Sequence, residues 1–361
     1  FNPFVWYTLK EILCDREIAC DSAVLQMISA DEYQAYGTTL INFAEKISSF
    51  SSPLAVGMSG NFRQMKRRIL NIAVFRKETL YQKMRALIIY LVISAVFIGC
   101  TPILSIDAST QNVYHFSDTD KNISLLDISE TFGTYDGSFV LYDNNLDSWK
   151  IYDLEEATKR IPPESTYKIY DALLGLESGI ITPEHSSMTW NGDAFPFPSW
   201  EADQDLNSAM QNSVNWYFQA IDSQLGINRV QEFLNKIEYG NQTTSSNLDL
   251  YWSDFSLKIS PLEQVTLLKK FNTNEFHLNS QNVFSVKNAI KIASTPNGNF
   301  YGKTGTGRVN GQDINGWFIG YVETSDNSYY FATNIQSDSN ATGKKAFEIT
   351  SDILKKLHIW N

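Results

Sequence analysis

The second half of this sequence predicts an α+β fold, an antiparallel sheet flanked by helices with a helical lobe set between its early and late strands. Three observations carry that prediction: short β-rich runs at both ends of residues 133–361, a mostly helical stretch between them, and an amphipathic pattern near the C-terminus. A chain of 361 residues exceeds one average domain, so two or three parts are expected, each large enough to bury a core. Its 22 Phe, 18 Tyr and 8 Trp are concentrated after residue 130, which excludes the disordered and low-complexity classes.

From the N-terminus, residues 1–82 open with Phe1 to Ile28, where apolar residues recur every three or four positions around Asp15, Arg16, Glu17 and Asp21. That periodicity predicts the tail of a helical domain. Ala86 to Leu104 is a run of 19 residues without a charge, long enough to cross a bilayer as a helix. Up to Arg85 the chain holds 11 Lys and Arg against 8 Asp and Glu, and beyond it 18 against 32. The basic cluster from Arg63 to Arg85 predicts residues 1–82 in the cytoplasm, 83–105 as a transmembrane helix and 106–361 outside the cell. This run lies too far from the start, and is too long, for a signal peptide. Cys14 and Cys20 then face the cytoplasm and Cys100 the membrane, so the outer domain folds without disulfides. Its acidity excludes nucleic acid as a partner, leaving the lipid bilayer as the expected large surface.

Residues 106–132 are polar and read as a tether, with the folded domain, 133–361, beginning near Gly133. Ser138 to Tyr142 and Trp149 to Tyr152 alternate as strands around Asp143-Asn144-Asn145, a hairpin signal. Gly316 to Glu323 and Tyr329 to Asn334 form a second pair, and Tyr301 to Arg308 a fifth strand at the edge of one antiparallel sheet. Lys344 to Leu357 places Phe347, Ile349, Ile353 and Leu354 on the apolar side of a helix. A cleft between sheet and helical lobe is the expected site.

Four motifs fall in order along this domain: Ser165-Thr166-Tyr167-Lys168, Ser213-Val214-Asn215, Tyr239-Gly240-Asn241 and Lys303-Thr304-Gly305-Thr306-Gly307. All four are expected at the cleft. A serine three residues before a lysine on one helix sets a nucleophile beside its base. Pro162-Pro163 places Ser165 at the helix start, where backbone N–H groups meet incoming negative charge. An isolated S-x-x-K is usually an N-cap serine, but three companions in this order reverse that reading. Because a serine hydroxyl is a weak nucleophile, Lys168 must be neutral, through burial, or altered, by adding CO2 to form a carbamate. Trp252 is expected to donate a hydrogen bond to that carbamate. Ser213 is expected to relay a proton to a leaving nitrogen, while Lys303 and Thr304 bind a substrate carboxylate. Gly305 lets the strand approach the ligand, and the N–H groups of Ser165 and Thr306 form an oxyanion hole.

The motif order resembles the acyl-transfer machinery of penicillin-recognising proteins. Residues 133–357 resemble a class D serine β-lactamase domain through the S-T-Y-K helix, Tyr239-Gly240-Asn241, the segment Tyr251-Trp252 with Leu257-Lys258-Ile259-Ser260, and the K-T-G strand. Near the N-terminus, Glu17-Ile18-Ala19-Cys20-Asp21 resembles the helix bearing the glutamate ligand of membrane zinc peptidases of the gluzincin type, with Glu17 as the ligand. The whole chain is similar to the β-lactam-sensing signal transducers of the BlaR and MecR type. That resemblance implies a penicillin-binding-like fold, acylation of Ser165 by β-lactam antibiotics and a signal across the membrane that induces resistance. A cytoplasmic repressor is the implied indirect target. Zinc catalysis also needs H-E-x-x-H, and the four histidines, His115, His185, His277 and His358, all lie beyond the membrane run. The motif is either upstream of a truncated N-terminus or lost; truncation is the reading adopted here, with zinc belonging only to the intact peptidase domain.

Two departures from the class D pattern bear on function. Ser213-Val214-Asn215 stands where the enzymes carry Ser-x-Val, so an amide replaces the apolar side chain that packs on the lysine carbamate. A polar neighbour favours loss of CO2 after acylation, and without a base the acyl adduct persists. No arginine follows Asn334-Ile335, leaving carboxylate binding to Lys303, Thr304 and Thr306, or to Lys344. A membrane-tethered class D β-lactamase that turns over, and a cell-wall transpeptidase, are the alternatives.

Overall fold

The computed structural model describes residues 3–48, 62–77, 79–81, 84–95, 112–117, 121–245, 247–249 and 251–360. The chain divides into two compact units, Phe1–Thr101 and Pro102–Asn361.

The first unit is helical, as its periodicity predicts: α1 (Pro3–Met27), α2 (Tyr33–Ser48) and α3 (Phe62–Ala73). A buried carboxylate ties them together. Asp21 on α1, 1% exposed, accepts from Arg68 Nε and Nη2 on α3 at 2.7 and 2.8 Å and from the Tyr36 hydroxyl on α2 at 2.9 Å. Residues 84–95 are helical, and Leu87 through Ile93 are all exposed. Among the described residues no helix is long and apolar enough to cross a membrane. The rest of the uncharged run, 96–104 with Cys100, lies outside the described residues.

The second unit is built on a seven-stranded sheet in the order β1-β3-β2-β7-β6-β5-β4. Its strands are β1 (Asn122–Leu125), β2 (Asp136–Asp143), β3 (Ser148–Tyr152), β4 (Lys291–Thr295), β5 (Gly298–Val309), β6 (Gln312–Thr324) and β7 (Ser328–Gln336). All five expected strands are present, but the sheet is mixed rather than wholly antiparallel, because β1 pairs β3 in parallel. The expected tether is thus partly structure: β1 and a helical turn Ser129–Phe132 precede Gly133, and Val113 bridges to Lys159 within the domain. β5 is not the edge strand either. β4 covers it as far as Tyr301, and the stretch from Lys303 to Gly307 runs on with that side uncovered by β4.

Strand alternation sorts the side chains into two cores. Phe139, Leu141, Phe300, Phe318 and Phe331 face the C-terminal helix (Gly343–Lys356) and its Ile349, Ile353 and Leu354. Val140, Tyr142, Trp317, Ile319 and Tyr330 face the helical lobe, which shares the larger core. That lobe includes α4 (Lys168–Glu177), α5 (Leu206–Gln211), α6 (Asn215–Leu225), α7 (Ile227–Ile237), α8 (Pro261–Asn272) and α9 (Ser280–Ala289). Helix α8 starts at a capping box in which Ser260 and Glu263 satisfy each other's backbone N–H groups.

The segment before Gly133 contributes to stability as well as reach. Phe132 is 2% exposed and packs at a tilt against Tyr152 with ring centroids 4.5 Å apart, and Lys356 Nζ donates to Thr131 Oγ1 at 2.7 Å. Burying one Phe is worth about 2–3 kcal/mol. A fragment beginning at Gly133 is expected to melt roughly 10 °C below one beginning at Asn112, read by thermal denaturation. Equal melting temperatures would return this segment to a tether.

Candidate active site

Pro162 and Pro163 lead into a 3₁₀ turn, Glu164–Tyr167, that continues as α4. In a 3₁₀ turn residues i and i+3 eclipse, so Lys168 is brought directly over Ser165. Its Nζ donates to Ser165 Oγ at 2.9 Å. Glu164, just before the serine, has φ +53°, a left-handed conformation costly for a residue with a Cβ. Surrounding bonds hold it there: its N–H donates to the Trp252 carbonyl at 3.1 Å, and Asn315 Nδ2 and Trp317 Nε1 donate to the Pro162 carbonyl at 3.1 and 2.8 Å. The glycine of K-T-G has its reason in the same place. A Cβ on Gly305 would stand 3.0 Å from Glu164 Cβ and 3.2 Å from Ser165 N, so a side chain there would force β5 or the turn to give by a few tenths of an ångström.

Lys168 is 1% exposed, and burial pulls its pKa down to about 8, a fall that the charges of Asp171 and Glu164 partly offset. The amine also donates to Asn215 Oδ1 at 2.7 Å, from the first turn of α6. Phe218 and Trp252 wall it in, each ring 5.6 Å from Nζ. An amine with that pKa is neutral in part at neutral pH and can accept a hydroxyl proton. Ser213 sits at φ +56°, just ahead of Val214, the N-cap of α6. Lys303 Nζ reaches across from β5 to donate to Ser213 Oγ at 2.9 Å and to the Thr304 carbonyl at 3.0 Å. Burial and the neighbouring Lys168 pull the Lys303 pKa well down, so each lysine disfavours the other's charge.

Glu164 lies under the same strand, and burial pushes its pKa up to about 8, against the hydrogen bond from Asn315 and the charge of Lys168. It is therefore mostly a neutral acid at neutral pH.

A cleft of about 420 Å³ opens over these groups. Of the residues singled out in the sequence, Ser165, Ser213, Asn215, Thr304, Gly305 and Thr306 line it, with Lys168 and Lys303 bonded to two of them from within the protein. Lys344 is exposed and does not line the cleft; Arg308 does, paired with Asp313 at 2.7 Å. Arg308 was legible in principle, because it continues the i, i+2 alternation of Thr304 and Thr306 along β5. Phe197 and Trp200 also line the cleft, from a stretch without helical or strand periodicity, and carried no such signal.

Tyr239, Gly240, Asn241 and Trp252 are not in the cleft, which corrects the expectation that all four motifs meet there. They form its support. Tyr239 is fully buried, with ring centroids 5.2 Å from Tyr167 and 5.1 Å from Tyr170. Gly240, at φ +53°, lies so close to the Lys258 carbonyl that a Cβ would come within 1.9 Å of its oxygen. Asn241 donates from its N–H to Lys258 O at 2.9 Å, accepts from Lys258 N–H at 2.9 Å, and donates to Ser256 O at 2.7 Å. The motif therefore clamps the segment that carries Trp252 behind the lysine.

In the first unit, the Glu17 side chain is 32% exposed and lies 3.2 Å from Arg16 and 3.7 Å from Arg68. Among the described residues no three His, Cys, Asp or Glu gather to hold a metal ion, so the residues present do not make a zinc site.

Residues 131–355 match the family described as the penicillin binding protein transpeptidase domain, and residues 1–72 match the BlaR1 peptidase M56 family. The chain is 42% identical, over its whole length, to the regulatory protein BlaR1 of Bacillus licheniformis, of which it covers 60%. It thus spans about three fifths of the length of the curated relatives it matches. Among solved structures, the C-terminal domain of the Bacillus licheniformis BlaR penicillin-receptor is similar with 45% identity and a TM-score of 0.65, covering 67% of this chain and 99% of that one. The class D β-lactamase BAT-2 is similar with 36% identity and a TM-score of 0.62, covering 65% of this chain and 97% of the enzyme. With matched residues extending over more than half of its length, the chain belongs to the penicillin binding protein transpeptidase domain family.

Proposed function

We propose that this chain is a membrane-anchored β-lactam receptor whose outer domain is acylated on Ser165 and holds the adduct. The observation that carries the reading is the position of Lys168 Nζ, 2.9 Å from Ser165 Oγ and 2.7 Å from Asn215 Oδ1. The first contact makes a serine nucleophile, and the second occupies the amine after that nucleophile is spent. Similarity to a penicillin-receptor domain, over 99% of that domain, supports the same ligand class here.

In this reading Ser165 Oγ attacks the lactam carbonyl while its proton passes to Lys168 Nζ. The lactam C–N bond breaks, and its nitrogen takes a proton through Ser213, which already accepts a hydrogen bond from Lys303. The ligand carboxylate pairs with Lys303, Thr304 and Thr306, with Arg308 at the mouth of the cleft; an arriving anion favours the protonated form of Lys303. The N–H groups of Ser165 and Thr306 receive the oxyanion. The apolar walls of Phe218 and Trp252 suit CO2 addition to Lys168, which would supply a carboxylate base at that position. Residues 86–104 are the proposed anchor, and the partners of the whole protein, a zinc peptidase active site and a cytoplasmic repressor, belong to the same proposal.

A second reading has a specific observation in its favour, the likeness to a class D β-lactamase. Turnover separates the two. After stoichiometric labelling of the full chain with penicillin, intact mass is expected to show an adduct that outlasts a cell generation and is absent from Ser165→Ala. Release within seconds would make the protein a β-lactamase, and an adduct on Ser165→Ala would dismiss the serine assignment.

Replacing the amide that holds the lysine tests why the adduct persists. Asn215→Val is expected to speed deacylation at least about tenfold, the size of one lost charge-assisted hydrogen bond. Unchanged adduct lifetime in that variant would clear Asn215 of the role. The acylation rate itself should rise about tenfold per pH unit below pH 8 and level off above it, because Lys168 must lose a proton whose pKa is about 8. A rate flat across that range would remove the Lys168 amine as base.

A further inference from the structure

We propose that Asp171 and Asp222 form a proton-sharing acid pair one helical turn behind Lys168, and that the single negative charge of the pair sets how readily Lys168 gives up its proton. The proposal rests on the reading of Lys168 as the base beside Ser165.

Spacing brings the pair together. Asp171 follows Lys168 by three residues on α4, and Asp222 follows Asn215 by seven on α6, so each lies on the same helix face as its predecessor. The two helices pack against each other. Lys168 and Asn215 make the outer rung between them, and Asp171 and Asp222 the inner one. Both acids are fully buried.

The chemistry of the inner rung needs a proton. All four carboxyl oxygens are buried, and no donor among the described residues meets any of them with hydrogen-bond geometry. Ionised carboxylates only accept, so two facing each other can satisfy neither. With one proton between them, an O–H of one donates to an oxygen of the other, and two like charges become one. Asp222 lies close enough to both Asp171 and the Tyr251 hydroxyl for such sharing. Burial and the neighbouring carboxylate push Asp171 well above the ordinary range, and burial pushes Asp222 up to about 8.

The groups facing the pair are few. Lys168 and Tyr167 lie on its own segment, Tyr217 on α6, and Tyr251 and Asp249 on the loop outside α6. Tyr217 donates to the Ser186 carbonyl at 2.7 Å. Helix α5 has no titratable residue, and Lys287, the one such group of α9, donates to the Asn272 carbonyl. Arg229, Glu232 and Lys236 on α7, which packs on α6, are exposed. Lys168 is thus the buried cation that acts on Asp171, and it also feels Glu164 and, from β5, Lys303. A negative charge behind Lys168 favours its ammonium and opposes a carbamate at the same atom. Asp171 and Asp222 act through the lysine and are positioning residues.

The test follows the protonation of Lys168 without antibiotic, in the full chain in detergent. A lysine Cε label, assigned to Lys168 by its loss in Lys168→Ala, is titrated by NMR from neutral to alkaline pH. Asp171→Asn or Asp222→Asn alone leaves an amide donating to an ionised carboxylate, the same charge as a shared proton, and should leave the midpoint in place. The double variant removes the charge and should lower the midpoint by about one unit, with a matching gain in ¹³CO2-derived carbamate signal. An unmoved midpoint in the double variant overturns the proposal, as does a single variant that shifts it as far. Should the double variant not fold, infrared spectra of wild-type protein labelled at Asp carboxyls decide: one protonated carboxyl is expected just above pH 8, where Asp222 has ionised and Asp171 still holds its proton, and none or two there would refute the sharing. None of these readouts uses Ser165, so failure here is separable from an adduct on Ser165→Ala, which would instead end the acylation reading.

Discussion

Burial of the Lys168 amine is the constraint on which the rest of the site depends. Moving an ammonium out of water costs several kcal/mol unless it is paired or loses its proton. A serine nucleophile needs the second outcome, and a stable fold must tolerate it. The site meets both demands with neutral partners: Ser165 and Asn215 receive the amine's hydrogen bonds, and the rings of Phe218 and Trp252 exclude water from the remaining sides. Every other feature near the lysine holds those partners in place. The Tyr239-Gly240-Asn241 turn fixes the segment bearing Trp252, and Gly305 lets β5 lie against the 3₁₀ turn that presents Ser165.

Two residues hold left-handed backbone at this site, Glu164 and Ser213, and each flanks a hydroxyl that the chemistry uses or is one. Such conformations cost about 1–3 kcal/mol each and persist only when the surroundings determine them. Here the determinants are not local. Asn315 and Trp317 belong to β6, and Trp252 to a loop some 90 residues beyond Glu164 in sequence. Strain at the nucleophile is therefore carried by tertiary packing, which explains why the helical lobe and the sheet share one large core and are not two separable modules.

That same distribution decides what could be read from sequence. The strands that became central, β2, β3, β6 and β7, are bounded by turns and alternate between two apolar faces, so composition alone located them. Edge strands are different. β1 reads Asn-Ile-Ser-Leu and β4 reads Lys-Ile-Ala-Ser-Thr, both mostly exposed, and their pairing depends on partners far along the chain. The site shows a parallel split. Ser165, Lys168, Ser213 and Lys303 were visible because chemistry restricts residue type, whereas Tyr239-Gly240-Asn241 was visible as a motif but not as a support. Its side chains work on backbone: Asn241 Oδ1 accepts from the Lys258 N–H and Nδ2 donates to the Ser256 carbonyl, and backbone partners leave no mark in the sequence of 256–258. The aromatic residues of the cleft, Phe197 and Trp200, cap and end a single 3₁₀ turn, Pro198–Trp200, held by bonds such as Trp200 Nε1 to the Asn212 carbonyl at 3.0 Å and Trp216 Nε1 to the Trp200 carbonyl at 2.9 Å, and a turn that short carries no period to read.

The buried acids and the buried amines of the domain act oppositely on its stability, and the sign of each follows from linkage. Glu164 and Asp222, raised to about 8, bind more protons folded than unfolded between the ordinary carboxyl range and pH 8. Stability from them is complete in acid and is lost as pH rises through that window. Lys168, lowered to about 8, binds fewer protons folded than unfolded above that value, so its contribution to stability grows from pH 8 toward the ordinary lysine range. For these three groups the least favourable point falls near pH 8, where the acids are becoming charged and the amine has not finished losing its charge. It is also where the amine is best balanced between holding and accepting a proton. The domain's stability and its reactivity draw on the same titrations, and a pocket tuned to activate a serine near neutral pH is, for that reason, not tuned for maximal stability there.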